Sequence, residues 1–395
     1  MAEDPIVIVG MARTPMGSFQ GTLTACSAAE LGAVAVSGAL ERAGIAAGDV
    51  DEVVMGCVLQ AGQGQAPARQ ASIGAGIPNS TGATTVNKMC GSGMRATMFG
   101  HDMLAAGTAD VVVSGGLESM TNAPYLMPKA RGGLRMGHGE VKDHMFLDGL
   151  EDAYDKGKLM GVFAENTAEK YQFSREAQDQ FAIRSLERGK TANEDGSFAA
   201  EMVPVTVKTR KNEMVVERDE QPFSADTSKI PNLHPVFKKD GTVTAANSSS
   251  ISDGASALVM MRCSEAEKRG LTPLATIVAH TVNAHEPEWF TTAPVGAITK
   301  VLGKAGWSKD EVDLWEINEA FAVVTMAAMK EHALSPDIVN IHGGACAMGH
   351  PIGSSGSRII ATLIGAMQKH NLKKGVATLC IGGGEATAMA IERAA

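Results

Sequence analysis

Four segments carry residue types at spacings that could do chemistry. In Val86-Asn87-Lys88-Met89-Cys90-Gly91-Ser92-Gly93, a β-branched stretch ends at a cysteine and an Ala-rich helix follows. A cysteine at a strand-to-helix turn sits where helix N–H groups converge, which is expected to stabilise a thiolate and lower its pKa. Gly91 and Gly93 leave room for another backbone or a ligand. The motif reads as a nucleophile or as a cysteine buried in a tight turn. In the run Gly343 to Gly353, His350 is locked between Gly349 and Pro351. It reads as a structural histidine, or as a general base or oxyanion donor held in one orientation. In Ala377 to Glu385, Cys380 lies at a strand end before Gly382-Gly383-Gly384, whose unobstructed N–H groups suit a developing oxyanion. Asn318, in Glu316-Ile317-Asn318-Glu319-Ala320-Phe321, is either a helix N-cap or a residue that fixes a water. Two reactive-looking cysteines and one constrained histidine, with no metal-ligand set, point to acyl or carbanion chemistry through sulfur. His101, His280 and His370 have no such setting and read as solvated or core residues.

These segments need elements to position them. Ile6–Val9 and Val53–Met55 read as strands, and Ala28–Ala43 reads as a helix with Leu31, Val36 and Leu40 on its apolar face. Val111–Val113 runs into Ser114-Gly115-Gly116, read as a strand ending in a tight turn. The alternation predicts an α/β fold, with a buried mixed or parallel sheet and helices on its faces. From about residue 120 to 246 the chain is more polar and irregular, as expected of an insertion that serves ligand and subunit contacts. A repeat frames it. Ser-Gly-x-Arg, helix, strand, Gly-Gly-x-Glu occurs from Ser92 to Glu118 and again from Ser355 to Glu385, suggesting two halves of a duplicated unit.

Composition narrows the class. The 395 residues are 44% hydrophobic and 20% charged, too apolar and too evenly charged for a disordered chain. Forty-four acids against 35 bases give a net charge of −9, which disfavours nucleic-acid binding but leaves room for a local basic groove. No run approaches the ~18 apolar residues of a membrane span. The N-terminus reads as neither signal nor transit peptide. The six cysteines form no Cys-x-x-Cys pair, which argues for a reducing, cytoplasmic setting.

Cys90-Gly91-Ser92-Gly93, Asn318-Glu319-Ala320-Phe321, Gly349-His350-Pro351-Ile352-Gly353 and Cys380-Ile381-Gly382-Gly383-Gly384 stand in an order and spacing that resemble the thiolases over essentially the whole chain. The resemblance implies a thiolase-like fold of two stacked βαβαβαββ halves, residues 1–121 plus 247–271 and residues 272–395, with 122–246 as an inserted loop domain. It implies a reversible Claisen condensation of two acetyl-CoA to acetoacetyl-CoA and CoA. Cys90 would take the acyl group, His350 would activate it, and Cys380 would move the α-proton. One oxyanion hole would be formed by His350 with an Asn318-held water, the other by the N–H groups of Cys90 and Gly382. Ser249, Leu159, Met160, Phe237, Phe290 and Phe321 would contact substrate. The resemblance implies no cofactor other than CoA itself, no metal, no nucleic-acid or membrane partner, and a homotetramer with contacts around 119–145. The chain departs from the family pattern at Leu159 (usually His), His342 (usually Asn) and Phe290 (usually Met), and at Gly384-Glu385-Ala386. A nucleotide-contacting Arg has no clear match near Gln221–Thr227. The rival activities are a degradative 3-ketoacyl-CoA thiolase, a non-catalytic acyl-CoA binder, and a ketoacyl synthase. Cys380 disfavours the last, because those enzymes usually carry His there.

Overall fold

The structure is a computed structural model that describes residues 4–209 and 212–393. The first half of the chain lays down β1 (Ile6–Arg13), α1 (Ala28–Ala43), β2 (Glu52–Gly56), α2 (Pro67–Gly74), β3 (Gly82–Val86), α3 (Ser92–Ala105) and β4 (Val111–Ser119). Helix α1 starts at a capping box, in which Ser27 accepts the Glu30 N–H and the Glu30 carboxylate answers at the Ser27 N–H. A long irregular stretch then carries α4 (Met160–Tyr171) and α5 (Arg175–Glu194) before β5 (Ser252–Arg262). The remainder forms β6 (Ala275–Ala284), α6 (Ala293–Ala305), β7 (Leu314–Ile317), α7 (Ala322–His332), α8 (Ser355–Lys369), β8 (Lys374–Ile381) and β9 (Glu385–Glu392).

The strands run β7-β8-β9-β6-β1-β5-β4-β2-β3. Within the first half β2 is parallel to β3 and β4, while β5 is antiparallel to β4 and β1. The second half repeats this: β7 is parallel to β8, and β9 is antiparallel to β8 and β6. Among the described residues the two halves meet edge to edge through two residue pairs, Val7 with Thr276 and Ile8 with Ala275.

Period-2 alternation assigns each strand face to a layer. Val7, Val53, Val113 and Val259 pack under α1 and α2. Ile8, Val112, Leu258, Leu379 and Met389 turn the other way, onto Met94 and Met98 of α3 and Ile360 and Leu363 of α8. Trp315, Val376 and Ala388 pack under α6. Helices α3 and α8 therefore lie between the sheets of the two halves, and every residue from Ser355 to Met367 is buried. The two helices cross at their first turns. A methyl group on Gly93 would strike Ser357, and one on Gly356 would strike the backbone of Met94.

One expectation fails here. Ser114-Gly115-Gly116 is not a turn, because β4 continues to Ser119. The glycines serve close approach: a Cβ on Gly116 would run into the carbonyl of Gly353, from the other half. The two Gly-Gly-x-Glu segments are thus conformationally unlike, since Gly382–Gly384 form the turn between β8 and β9. No helix of the described residues is long and apolar enough to cross a membrane.

Candidate active site

Cys90 sits in the turn between β3 and α3. Ser92 locks that turn by accepting the Lys88 N–H at 2.8 Å and donating to the Met89 carbonyl at 2.6 Å. Met89 takes φ +47°, a left-handed conformation that an L side chain adopts at some cost. Lys88 pairs with Glu385 at 2.7 Å, tying the turn to the start of β9 in the other half. The N–H groups of Gly382 and of Cys90 itself face the Cys90 sulfur. They do not depress its pKa overall. Burial pushes the thiol up to about 11, and the nearby Glu118 adds to the rise. The sequence-based expectation of a lowered pKa is therefore overturned: desolvation outweighs two N–H groups, and α3 begins only at Ser92.

His350 follows Gly349, whose φ is +104°. Its N–H donates to the Ser250 carbonyl at 3.1 Å. Nδ1 lies 2.6 Å from Ser355 Oγ, and Nε2 is buried with no partner among the described residues. Burial first, and then the Arg358 charge, brings its pKa down to about 3, so the ring is neutral. Ser355 Oγ also lies 3.0 Å from the Pro351 carbonyl. The hydroxyl donates its one hydrogen to that carbonyl and is left to accept from Nδ1–H, which fixes the ring plane and leaves Nε2 unprotonated. Nε2 can thus act as base or donor without the ring moving.

Asn318 is not an N-cap, because its N–H bonds the Thr378 carbonyl at 3.0 Å and α7 starts four residues later behind Phe321. Its side chain is buried, Oδ1 lies 3.5 Å from an Arg358 nitrogen, and Nδ2 has no partner among the described residues. A buried, unpaired amide N–H is costly unless water or ligand meets it. Cys380 closes β8, fully buried among Phe163, Phe290 and Phe321. That apolar surrounding drives its thiol pKa well above the ordinary value, and neighbouring Cys90 adds to it.

Cys90 and His350 border a cavity of about 790 Å³. Cys90, Gly382 and His350 line it together with all six expected contact residues, Ser249, Leu159, Met160, Phe237, Phe290 and Phe321. Cys380 and Asn318 stand behind the wall. Phe237 meets Phe321 edge-on at 6.1 Å, and Phe290 meets Phe163 at 6.3 Å. Sequence reasoning missed Met89, Ile352 and the stretch Phe146–Tyr154, which also line it. Ile352 was within reach, inside the Gly-His-Pro-Ile-Gly motif, whereas nothing in the polar 146–154 stretch marks it as a wall. No Lys or Arg among the described residues lines the cavity, so the basic groove left open by the composition is not part of it. His370 is paired with His342, their Nε2 atoms 3.1 Å apart, and His101 and His280 are brought together.

The fold and this sulfur-lined pocket define a thiolase. Residues 6–264 match the thiolase N-terminal domain and residues 271–393 the thiolase C-terminal domain, and the chain belongs to that family of acyltransferase enzymes. Among its relatives are acetyl-CoA acetyltransferases of Schizosaccharomyces pombe, 49% identical over the full length of both chains, and of Rhizobium meliloti, 48% identical, also over the full length of both. Among solved structures it resembles a thiolase from Ascaris suum in complex with coenzyme A, with TM-score 0.93 and 40% identity, covering 99% of this chain and 100% of that one. It also resembles the acetyl-CoA acetyltransferase of Bacillus anthracis, with TM-score 0.96 and 39% identity, covering 99% of both.

Proposed function

We propose that the chain is an acetyl-CoA acetyltransferase that reversibly condenses two acetyl-CoA into acetoacetyl-CoA and CoA. The carrying observation is the convergence of Cys90, His350 and the Gly382 N–H on one apolar cavity, with Cys380 directly behind it. Cys90 rests as a thiol and hands its proton to the free Nε2 of neutral His350 as its sulfur attacks the thioester carbonyl. The Cys90 and Gly382 N–H groups receive the oxyanion. The carbon–sulfur bond to CoA breaks, and the departing thiolate takes the Cys380 proton.

Cys380 is then a thiolate in an apolar shell. The burial that makes it a reluctant acid in the resting protein makes it a strong base at this stage. It takes the α-proton of the second acetyl-CoA, while His350 and a water on Asn318 Nδ2 hold the enolate oxygen. The enolate carbon attacks the Cys90 thioester, the carbon–sulfur bond to Cys90 breaks, acetoacetyl-CoA is released, and the Cys90 thiolate takes back the proton held on His350. No cofactor beyond CoA enters this scheme. With no basic side chain on the cavity wall among the described residues, the CoA phosphates would lie outside its mouth and the pantetheine arm inside, beside Ser249.

The same reading takes 122–246 as an inserted loop domain between core segments 1–121 plus 247–271 and 272–395, and takes the assembly as a homotetramer. Exposed Tyr125, Met127, Met136 and Val141 supply apolar surface for its contacts. Six free cysteines are consistent with a reducing cytoplasmic setting. The deciding experiment is thiolysis of acetoacetyl-CoA beside ketoacyl-CoA of six to ten carbons. A preference for the longer chains above a hundredfold in kcat/KM would replace this reading with the degradative one.

A further inference from the structure

Helix α3 and strand β6 bring together three ligand atoms far from the sulfur chemistry. His101 Nδ1 lies 3.1 Å from Asp102 Oδ1, His280 Nε2 lies 3.1 Å from His101 Nδ1, and His280 Nε2 lies 3.1 Å from Asp102 Oδ1. The three atoms form an equilateral triangle, with the two rings at 80°. We propose that His101, Asp102 and His280 form a binding site for a divalent transition-metal ion of the zinc type.

The spacing is the first argument. Zinc sits about 2.0–2.1 Å from nitrogen and oxygen ligands, which places neighbouring tetrahedral ligands about 3.3 Å apart. A triangle of 3.1 Å edges therefore needs almost no adjustment to hold an ion above its plane. The second argument is proton accounting. The carboxylate carries no proton, and each imidazole N–H directs along one line, so hydrogen bonds alone cannot serve all three edges. A cation satisfies all three acceptors at once. Two imidazoles and one carboxylate form a donor set suited to zinc and its neighbours rather than to calcium or magnesium.

Access and charge agree. Asp102 is 56% exposed, and the His101 and His280 side chains are 23% and 16% exposed, so an ion and its remaining waters can enter. Lys304 is the opposing group: its Nζ donates to the His280 carbonyl at 3.1 Å. His101 is nine residues beyond Ser92, roughly 14 Å along the helix, so the site is separate from the cavity. It joins α3 of the first half to β6 of the second, and an ion there would clasp the two halves.

The test is calorimetric titration of the purified protein with Zn²⁺, with Cys90→Ala protein run in parallel to remove thiolate competition. One equivalent per chain is expected, with a Kd on the order of micromolar, and it should persist in Cys90→Ala. His280→Ala and Asp102→Asn should each weaken it by more than about tenfold, the least that even indirect partners of a metal typically contribute. The metal-free melting temperature of Asp102→Asn should match the parent, because that side chain is largely in solvent. If His280→Ala fails to fold, Asp102→Asn decides alone. Absence of saturable binding, or binding unchanged by Asp102→Asn, overturns the proposal. So does binding that disappears only in Cys90→Ala, since it would assign the ion to the thiol.

Discussion

The two halves each contribute a cysteine at the end of a strand-derived turn, yet the sulfurs end in opposite surroundings. Cys90 of the first half opens onto the cavity with two N–H groups aimed at it. Cys380 of the second half is sealed among aromatic rings. Both thiols are raised by burial, so neither rests as a thiolate. What separates them is access and stabilisation. A sulfur in contact with bound substrate, beside donors for an oxyanion, can carry an acyl group. A shielded sulfur whose proton affinity is also raised by burial can only exchange protons. The difference lies in access to the cavity and in the two N–H groups at Cys90, since burial raises both thiols.

The largest effect should come from removing each sulfur in turn. Cys90→Ala should abolish both acetyl-enzyme formation and condensation. Cys380→Ala should still become acetylated, more slowly for want of an acid, but should fail at carbon–carbon bond formation. Mass spectrometry after mixing with acetyl-CoA, beside a condensation assay, reads both. Acetyl label on Cys380 in the parent enzyme would erase the distinction.

Next in size is Asn318→Asp. Since Asn318 caps no helix, a loss of about 10²-fold or more in kcat is expected, the usual cost of one preorganised donor. Near-normal turnover in the folded variant would remove Asn318 from the site.

A smaller effect sharpens the account of Cys90. With the thiol pKa near 11, the thiolate fraction grows as pH rises, so iodoacetamide alkylation of Cys90 should climb roughly tenfold per pH unit through pH 9. A plateau near pH 7 would show that the N–H groups prevail over burial after all. The smallest effect concerns the wall. Leu159→His replaces an apolar surface with a polar one and should narrow chain-length tolerance by about fourfold in kcat/KM per methylene, from about 0.8 kcal/mol each. An unchanged profile would clear Leu159 of a role in selecting chain length.

Much of this was legible beforehand where local chemistry and tertiary structure agree. Helix α1 spans the residues its apolar spacing indicated, and Cys90, His350 and Gly382 meet at one cavity as their turn motifs suggested. Legibility failed where meaning depends on a distant partner. Gly115-Gly116 looks like a turn until Gly353 is seen pressed against it. Asn318 looks like a cap until Thr378 is found holding its N–H. His101 and His280, 179 residues apart, look idle until α3 is laid beside β6. The Cys90 pKa was misjudged because desolvation is a property of the assembled core, and no single turn reports it.

The crossing of α3 and α8 has a thermal consequence. The reacting groups belong to both halves, and among the described residues those halves share a ladder of two residue pairs. The gap between Cys90 and its partners is therefore gauged chiefly by the contact of Gly93 with Ser357 and of Gly356 with Met94. Near-attack geometry tolerates shifts of well under about 1 Å. Warming that loosens this contact slightly should silence the enzyme while each half keeps its secondary structure. The temperature of half-inactivation should accordingly lie below the midpoint of the circular dichroism melt, and coincidence of the two would show that the helix contact fails only with the whole molecule.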